Sequence, residues 1–129
     1  HSHSKFAGML SDLLVEAGHD VTSLIPEIDP AQADGTVLSK VMRIQRSNET
    51  KKALEDYFGN PDNNFFLTEY FHPNHQAKIG AFFGNVFGSM CRTTLAQTKV
   101  LNELKAGRFD VLLTENFDYC GTGNLRPLL

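Results

Sequence analysis

A helical segment that ends at a glycine and passes directly into a short β-branched run is the feature that most constrains this fold. Residues Lys5–Ala17 carry apolar side chains at intervals of three and four, which predicts a helix with one buried face. Ser4 is the predicted N-cap, and Gly18 is the predicted stop. The run His19–Ile25 then predicts a strand that Pro26 closes. A helix and strand joined in this way form half of a βαβ unit, so we expect an α/β fold with a parallel sheet and a right-handed crossover.

The rest of the chain continues this α/β pattern. Asn48 is the predicted N-cap of its next helix. Gly80, Gly84 and Gly88 are expected to allow close packing or a bend, and Gly107 is expected to end the last helix. In chain order, the predicted elements are a strand over Val41–Gln45, a helix over Glu49–Phe58, one or two helices over Gln76–Leu104, and a last strand over Phe109–Thr114.

Composition excludes some classes of protein. The 129 residues are 41% hydrophobic with a formal net charge of -3, which is typical of a soluble domain with a real core and gives no basic patch for nucleic acid. No apolar run reaches the roughly 18 to 20 residues needed to span a bilayer. The polar start His1–Ser4, without an initiator Met or a signal peptide, leads us to expect a fragment or a mature segment. Cys91 and Cys120 are predicted to be two partly buried thiols.

Two residues at opposite ends of the chain are the candidate catalytic pair. His3 lies at the start of the first predicted helix, where the helix dipole favours a neutral imidazole that can act as a base. Glu115 follows the last predicted strand, at the edge where open α/β sheets place their ligands. The alternative for His3 is an exposed terminal histidine without a catalytic role, and His1 could take its place as the base. The alternative for Glu115 is a solvated loop carboxylate. An imidazole balanced by a carboxylate is the usual arrangement of a general base.

Other candidate motifs carry less weight. His72 and His75 have a spacing that could hold a metal on a helix, but Pro73 argues against a helix there and no second pair of ligands lies nearby. We therefore predict no metal site. His19 is interpreted as structural. The segment Gly121–Gly123 lacks the rest of a phosphate-binding fingerprint, so no nucleotide loop is predicted.

Two groups of motifs resemble the UDP-glucuronosyltransferases. The first is Ser2-His3, a helix, and then Gly18–Thr22, which is similar to the start of that family. The second is Phe109–Glu115 followed by Phe117–Gly121, which resembles the family's Phe-Asp-Val strand and its Cys-Gly turn. The amino-acid sequences of these segments are especially similar to those of nematode members. The resemblance covers essentially the whole chain, but only the front part of a family member.

This resemblance implies a GT-B fold, in which residues 1–129 form part of an N-terminal, Rossmann-like, acceptor-binding domain. The C-terminal UDP-sugar-binding domain and the transmembrane anchor are expected to be absent from this chain. The family's catalytic histidine falls on His3, and its catalytic aspartate falls on Glu115, which is one methylene longer. The implied reaction transfers a sugar to a small lipophilic acceptor with inversion. UDP-glucuronic acid or UDP-glucose is the co-substrate, and no other cofactor is expected.

The resemblance also implies an enzyme of detoxification at the endoplasmic reticulum membrane, on the lumenal side, and it leaves a homo-oligomer open. The alternatives are a non-catalytic acceptor-binding module and a different doubly wound protein in which His3 and Glu115 never meet. This chain alone is expected to transfer no sugar, since catalysis needs both substrates in one cleft. Some aromatic side chains could line an acceptor pocket, although most are predicted to be core: Phe65, Phe66, Tyr70, Phe71, Phe82, Phe83 and Phe87.

Overall fold

The structure is a computed structural model that describes residues 2–60 and 73–115, together with Cys120 and Gly123. Over these residues it is an α/β structure, as predicted. Its elements are α1 (Ser2–Glu16), β1 (Thr22–Pro26), β2 (Lys40–Ile44), α2 (Asn48–Phe58), α3 (Pro73–Ala96) and α4 (Thr98–Gly107). The chain divides into two compact units, the N-terminal unit (His1–Gln45) and the helical unit (Arg46–Leu129).

The N-terminal unit contains a parallel pair of strands. β1 and β2 pair from Thr22 opposite Lys40 to Pro26 opposite Ile44. Residues 27–39, which we call the β1–β2 connection, join the two strands. Parallel strands need a connection of about a dozen residues or more, because the chain must return to the starting edge before it can pair again. The parallel pairing predicted from the helix-to-strand passage is confirmed.

The end of α1 is set by Gly18, as predicted. Gly18 has a positive φ of 92°, and the backbone N–H groups of Gly18 and His19 donate to the carbonyls of Val15 and Leu14 at 2.9 and 3.0 Å. This is the glycine-closed helix end that L side chains rarely allow. The predicted N-cap at Ser4 is wrong, because the helix already begins at Ser2.

The apolar stripe of α1 is largely exposed, which corrects the expectation of a buried face. Phe6 and Leu13 are 66% and 59% exposed, and Met9 is exposed as well. The helix instead contacts the rest of its unit through small and polar residues, Gly8 and Asp12 among them. Periodicity locates the apolar stripe correctly, but it does not show which side of the helix has a neighbour.

In the helical unit, α2 begins one residue earlier than predicted. The hydroxyl of Ser47 accepts a hydrogen bond from the Thr50 backbone N–H at 3.1 Å, so Ser47 is the N-cap. Asn48 is therefore the first helical residue and not the cap. Both side chains are of the type that caps helices, so the sequence alone did not separate them.

The core of the helical unit lies between α2 and α3. Tyr57, Phe82, Val86 and Met90 form a buried cluster, and the rings of Tyr57 and Phe82 stack with centroids 3.9 Å apart. Phe82 is thus core, as expected for most of the aromatic set. Phe65, Phe66, Tyr70 and Phe71 lie outside the described residues.

The long apolar region 76–104 forms two helices, which is one of the two predicted outcomes. α3 begins at Pro73, where a proline fits because the first helical N–H needs no partner. Among the described residues, no atom lies within 4 Å of a Cβ atom added to Gly80 or Gly84. Of the two predicted roles, close packing is therefore not seen at these glycines within the described part of the chain.

A disulfide joins Cys91 of α3 to Cys120, with the two Cα atoms 5.6 Å apart. This overturns the prediction of two thiols. Two cysteines separated by 29 residues carry no framework pattern, so their pairing depends on tertiary proximity that the sequence does not display. A disulfide is typical of a protein that matures in an oxidising compartment.

The predicted last strand, Phe109–Thr114, is wrong. α4 ends at Gly107, as expected, and Arg108 adopts a left-handed conformation with φ 46°. The residues that follow, through Glu115, form neither helix nor strand, and Val111 and Leu113 are 69% and 61% exposed. An apolar run becomes a strand only when a neighbouring backbone accepts its hydrogen bonds. Within the described part of the chain, no helix is both long and apolar enough to cross a membrane.

Candidate functional site

The first turn of α1 lies at the carboxyl end of β1. The side-chain amide of Gln32, in the β1–β2 connection, donates a hydrogen bond to the hydroxyl of Ser4. Gly35 also approaches Ser4 so closely that an added Cβ atom would lie 2.2 Å from the Ser4 carbonyl oxygen. These contacts place His3 beside the connection that leaves β1, at the edge where parallel sheets hold ligands.

A second close approach involves Gly8 and Gly35. A Cβ atom on Gly8 would lie 2.0 Å from the carbonyl carbon of Gly35 and 2.6 Å from the backbone nitrogen of Thr36. Gly35 itself has a positive φ of 79°. Only glycine allows the helix and the connection to approach this closely. The position of the first turn of α1 is therefore fixed by backbone contact.

Arg43 of β2 donates hydrogen bonds to the β1–β2 connection. Its Nε donates to the Asp34 carboxylate at 2.5 Å, and its Nη2 donates to the Gln32 carbonyl at 2.8 Å. Its Nη1 also lies 3.9 Å from the Glu27 carboxylate. An arginine can serve three acceptors because its donors form a rigid planar fork. Gln32, which bonds Ser4, is therefore held in place by Arg43.

Asp12 of α1 binds the C-terminal part of the β1–β2 connection. Its carboxylate accepts hydrogen bonds from the Thr36 hydroxyl and from the backbone N–H groups of Val37 and Leu38, the latter at 3.0 Å. The Thr36 hydroxyl bond, followed by the backbone donors, lowers the pKa of Asp12 below its ordinary value of 3.8. The same region contains a bond between the hydroxyls of Ser23 and Ser39 at 2.7 Å.

His3 lies near the N-terminus of α1. Its side chain is exposed in the first turn of α1, and that turn contains no acidic residue. An exposed imidazole is accessible to a hydroxyl group bound at this edge, and imidazole is a common general base. His1, the alternative, lies outside the described residues.

Glu115 is also exposed, in the segment that follows α4. Its carboxylate does not follow a strand, so the argument that placed it at a sheet edge no longer holds. His3 belongs to the N-terminal unit and Glu115 to the helical unit. The pairing of the two side chains therefore stays a prediction.

The remaining candidates are distributed as follows. His75 is buried in α3, and His72, the other histidine of that motif, lies outside the described residues. Over residues 2–60 and 73–115, no three side chains of His, Cys, Asp or Glu are grouped so that they could hold a metal ion. Of the segment Gly121–Gly123, only Gly123 is described.

The helical unit also has a groove that the sequence did not predict. It measures about 580 Å³ and lies between α2 and α3. Its lining combines two stacked rings with charged and amide side chains, including Tyr57, Phe82, Lys52, Asp56, Lys78 and Asn85. The groove is open to solvent, and its walls combine apolar rings with charged side chains.

The residues that fix the edge beside His3 were not found from the sequence. Gly8, Asp12 and Gln32 act through contacts with residues 24 to 28 positions away, as in the bonds from Thr36 to Asp12 and from Gln32 to Ser4. The available signal was a glycine in the middle of a predicted helix, which often marks a close backbone approach.

Comparison with known proteins gives relatives of one kind. Two Caenorhabditis elegans proteins named as UDP-glucuronosyltransferases, ugt-55 and ugt-46, are each 30% identical over 98% of this chain. UDP-glucuronosyltransferase 2B7 of Rattus norvegicus is 26% identical over 94% of the chain. The chain spans about a quarter of the length of these relatives, between 24% and 25%. It matches no protein-family model and no solved structure.

Proposed function

The resemblance to the UDP-glucuronosyltransferases is confirmed by these relatives, and on that premise we propose that the protein carrying this chain is a UDP-glycosyltransferase. It transfers a sugar, glucuronic acid in the first instance and glucose as the alternative, to a small lipophilic acceptor. Residues 1–129 form part of a Rossmann-like, acceptor-binding domain of a GT-B enzyme. The UDP-sugar binds to a second domain outside this chain.

The observation that carries the proposal is the position of His3. Its side chain is exposed at the carboxyl end of β1, in a helical turn that is fixed by the bond between Ser4 and Gln32. Positioning of a base matters because proton transfer requires the donor and acceptor atoms to be within hydrogen-bond reach. A base on the first turn of a helix that two backbone contacts hold in place meets that requirement better than one on a loose terminus.

In the proposed reaction, His3 removes the proton from the acceptor hydroxyl as its oxygen attacks the anomeric carbon of the UDP-sugar. The new bond joins that oxygen to the anomeric carbon, and the bond from the anomeric carbon to the UDP oxygen breaks. UDP leaves with the electron pair, so the configuration inverts. Glu115 orients His3 and stabilises the imidazolium that forms. No cofactor is required beyond the UDP-sugar itself.

We further propose that the enzyme acts on the lumenal side of the endoplasmic reticulum membrane, held by an anchor outside this chain, and serves detoxification. Its partners are then the lipophilic acceptor and the UDP-sugar, with no nucleic acid. The Cys91–Cys120 disulfide supports an oxidising compartment of this kind.

The test is sugar transfer from radiolabelled UDP-glucuronic acid and UDP-glucose to a panel of phenols, using the full-length protein. We expect His3→Ala to lower kcat at least about 100-fold, since a general base contributes roughly 10² to 10⁴ in rate. His19→Ala is the matched control, because His19 is an exposed histidine of the same unit. Equal transfer by wild type and His3→Ala would remove His3 from the mechanism.

A second candidate function is a non-catalytic module that binds small amphipathic molecules. The groove between α2 and α3 favours it, because that groove is formed within this chain and needs no donor domain. Binding of a phenolic ligand that is abolished by Lys78→Ala, together with no transfer by the full-length protein, would support this function over the enzymatic one.

A further inference from the structure

A tripeptide at the start of α2 has the sequence of an attachment site for an N-linked glycan. Asn48-Glu49-Thr50 fits the pattern Asn-X-Ser/Thr, in which X is any residue but proline. It is the one such tripeptide among the 129 residues. A match to so short a pattern is weak evidence alone, so its surroundings decide whether it can carry a glycan.

The structure leaves the acceptor asparagine accessible. Asn48 is the first residue of α2, and both Asn48 and Glu49 are exposed. The capping of this helix is performed by Ser47, whose hydroxyl accepts from the Thr50 backbone N–H. A sugar on the Asn48 side-chain nitrogen would therefore project from the surface without displacing the cap.

The third residue of the tripeptide has a different environment. Thr50 is completely buried, with 0% exposure, and its hydroxyl bonds the hydroxyl of Ser89 at 2.7 Å. Since the pattern requires this hydroxyl, it has to be reachable when the sugar is transferred. Transfer must then precede the packing of α2 against α3.

The disulfide is the second, independent observation. Cys91 and Cys120 are bonded in the same unit as Asn48. Stable disulfides form in the secretory pathway of eukaryotic cells, which is also where chains meet N-glycosylation before they fold. The tripeptide and the disulfide therefore point to one compartment, without any use of the proposed transferase activity.

We propose that Asn48 is an N-glycosylation site, modified before the helical unit folds. The donor is an oligosaccharide linked to a lipid through pyrophosphate. A bond forms between the Asn48 Nδ2 atom and the anomeric carbon of the first sugar, and the bond from that carbon to the phosphate oxygen breaks. The lipid pyrophosphate leaves with the electron pair, and the amide nitrogen loses one proton. No oxidant or reductant is consumed.

The test is peptide mass spectrometry of the full-length protein made in the secretory pathway of mammalian cells. Enzymatic removal of N-glycans in heavy-oxygen water converts a glycosylated Asn48 to aspartate that carries one heavy oxygen. We expect that label at Asn48 in more than half of the molecules. An Asn48 that is found as unmodified asparagine overturns the proposal, whether or not the Cys91–Cys120 bond is detected in the same sample.

Variants separate the tripeptide from the fold. Asn48→Gln and Thr50→Val should both lose the glycan and migrate faster on a denaturing gel. Thr50→Ser keeps the hydroxyl and should keep the glycan. Asn85→Gln, an exposed asparagine of α3 outside any such tripeptide, should leave the mobility unchanged. A glycan that persists in Asn48→Gln would also overturn the proposal, and the wild-type peptide measurement does not depend on any variant folding.

Discussion

Each of the two units is stabilised internally by a different kind of contact. In the N-terminal unit, α1 is joined to the β1–β2 connection by backbone contact at Gly8 and Gly35 and by the carboxylate of Asp12. In the helical unit, α2 and α3 bury an aromatic cluster around Phe82, and a disulfide adds a covalent link. The N-terminal unit leaves the apolar stripe of its helix exposed, whereas the helical unit buries Tyr57 and Phe82.

This difference teaches where precision and where stability come from. Apolar burial is non-directional and supplies most folding free energy, but it tolerates small shifts of the side chains. Hydrogen bonds and close backbone contacts contribute less free energy but fix positions to a few tenths of an ångström. The unit that contains His3 relies on the second kind, which suits the proposed role of His3 as a base.

The first way to test this comparison is Phe82→Ala, for which we expect the largest effect. Removing a buried ring costs about 3 to 5 kcal/mol of unfolding free energy, since the cavity cannot close completely. Hydrogen exchange should rise in α2 and α3 and stay unchanged in residues 2–45. Val111→Ala, at a 69% exposed position of the same unit, is the control. Faster exchange that spreads equally into both units would break the comparison.

The second test removes the disulfide with the double variant Cys91→Ser/Cys120→Ser. A crosslink between residues 29 apart restricts the unfolded chain enough to contribute about 3 to 4 kcal/mol. The free energy of unfolding of the helical unit, measured by urea denaturation, should fall by that amount. Reductant should move the urea midpoint of the wild type to that of the double variant. If the double variant and the oxidised wild type unfold at one midpoint, the covalent link does not stabilise this unit.

The third test is Gly8→Ala in the N-terminal unit. The added Cβ atom would meet the Gly35 backbone at 2.0 Å, so α1 must move away from the connection. Overpacking of this kind costs about 1 to 3 kcal/mol. In the full-length protein, kcat should fall more than the acceptor KM rises, because His3 is displaced.

Gly80→Ala is the matched control for that test, since Gly80 lies in α3 with open space around an added Cβ atom. It should stabilise the helical unit by about 0.5 to 1 kcal/mol, because alanine favours the helix. If Gly8→Ala left the stability of the N-terminal unit and kcat unchanged, the close backbone contact would not be needed to position α1.

The smallest effect is expected from acid. The pKa of Asp12 is lowered in the folded protein by the Thr36 hydroxyl and the backbone donors, so its contribution is fully present above about pH 4. That contribution is lost as the pH falls below 3.8 and through the lowered folded value. Urea unfolding at pH 7 and pH 3 should show a larger acid loss for wild type than for Asp12→Asn. Asp20→Asn, an exposed carboxylate of the same unit, should behave as wild type does.

The parts of the fold that the sequence predicted are those with a local cause. Gly18 ends α1 because its own φ is positive, and Gly107 ends the last helix within one residue of a left-handed Arg108. The parallel pairing followed from the helix-to-strand passage. The segment Phe109–Thr114 and the cysteine pair failed for the opposite reason, since a strand and a disulfide both need a partner distant in sequence.

The candidate site divides in the same way. His3 could be placed at the first turn of a helix from sequence, because Gly18 and the apolar spacing locate that helix. Gln32, Gly35 and Thr36 could not be connected to it, because their contacts with α1 cross a strand and a turn. The predicted role of Glu115 depended on a strand that does not form, so only its family resemblance still supports it.

The Cys91–Cys120 bond also limits how far Glu115 can lie from α3. Glu115 precedes Cys120 by five residues, counted as 120 minus 115, and Cys120 lies 5.6 Å from Cys91 between Cα atoms. Five extended residues span at most about 18 Å, so Glu115 must lie within about that distance of Cys120, which is bonded near the C-terminal end of α3. The disulfide therefore adds a second covalent limit on the distance between Glu115 and α3, besides the one that the chain leaving α4 already sets.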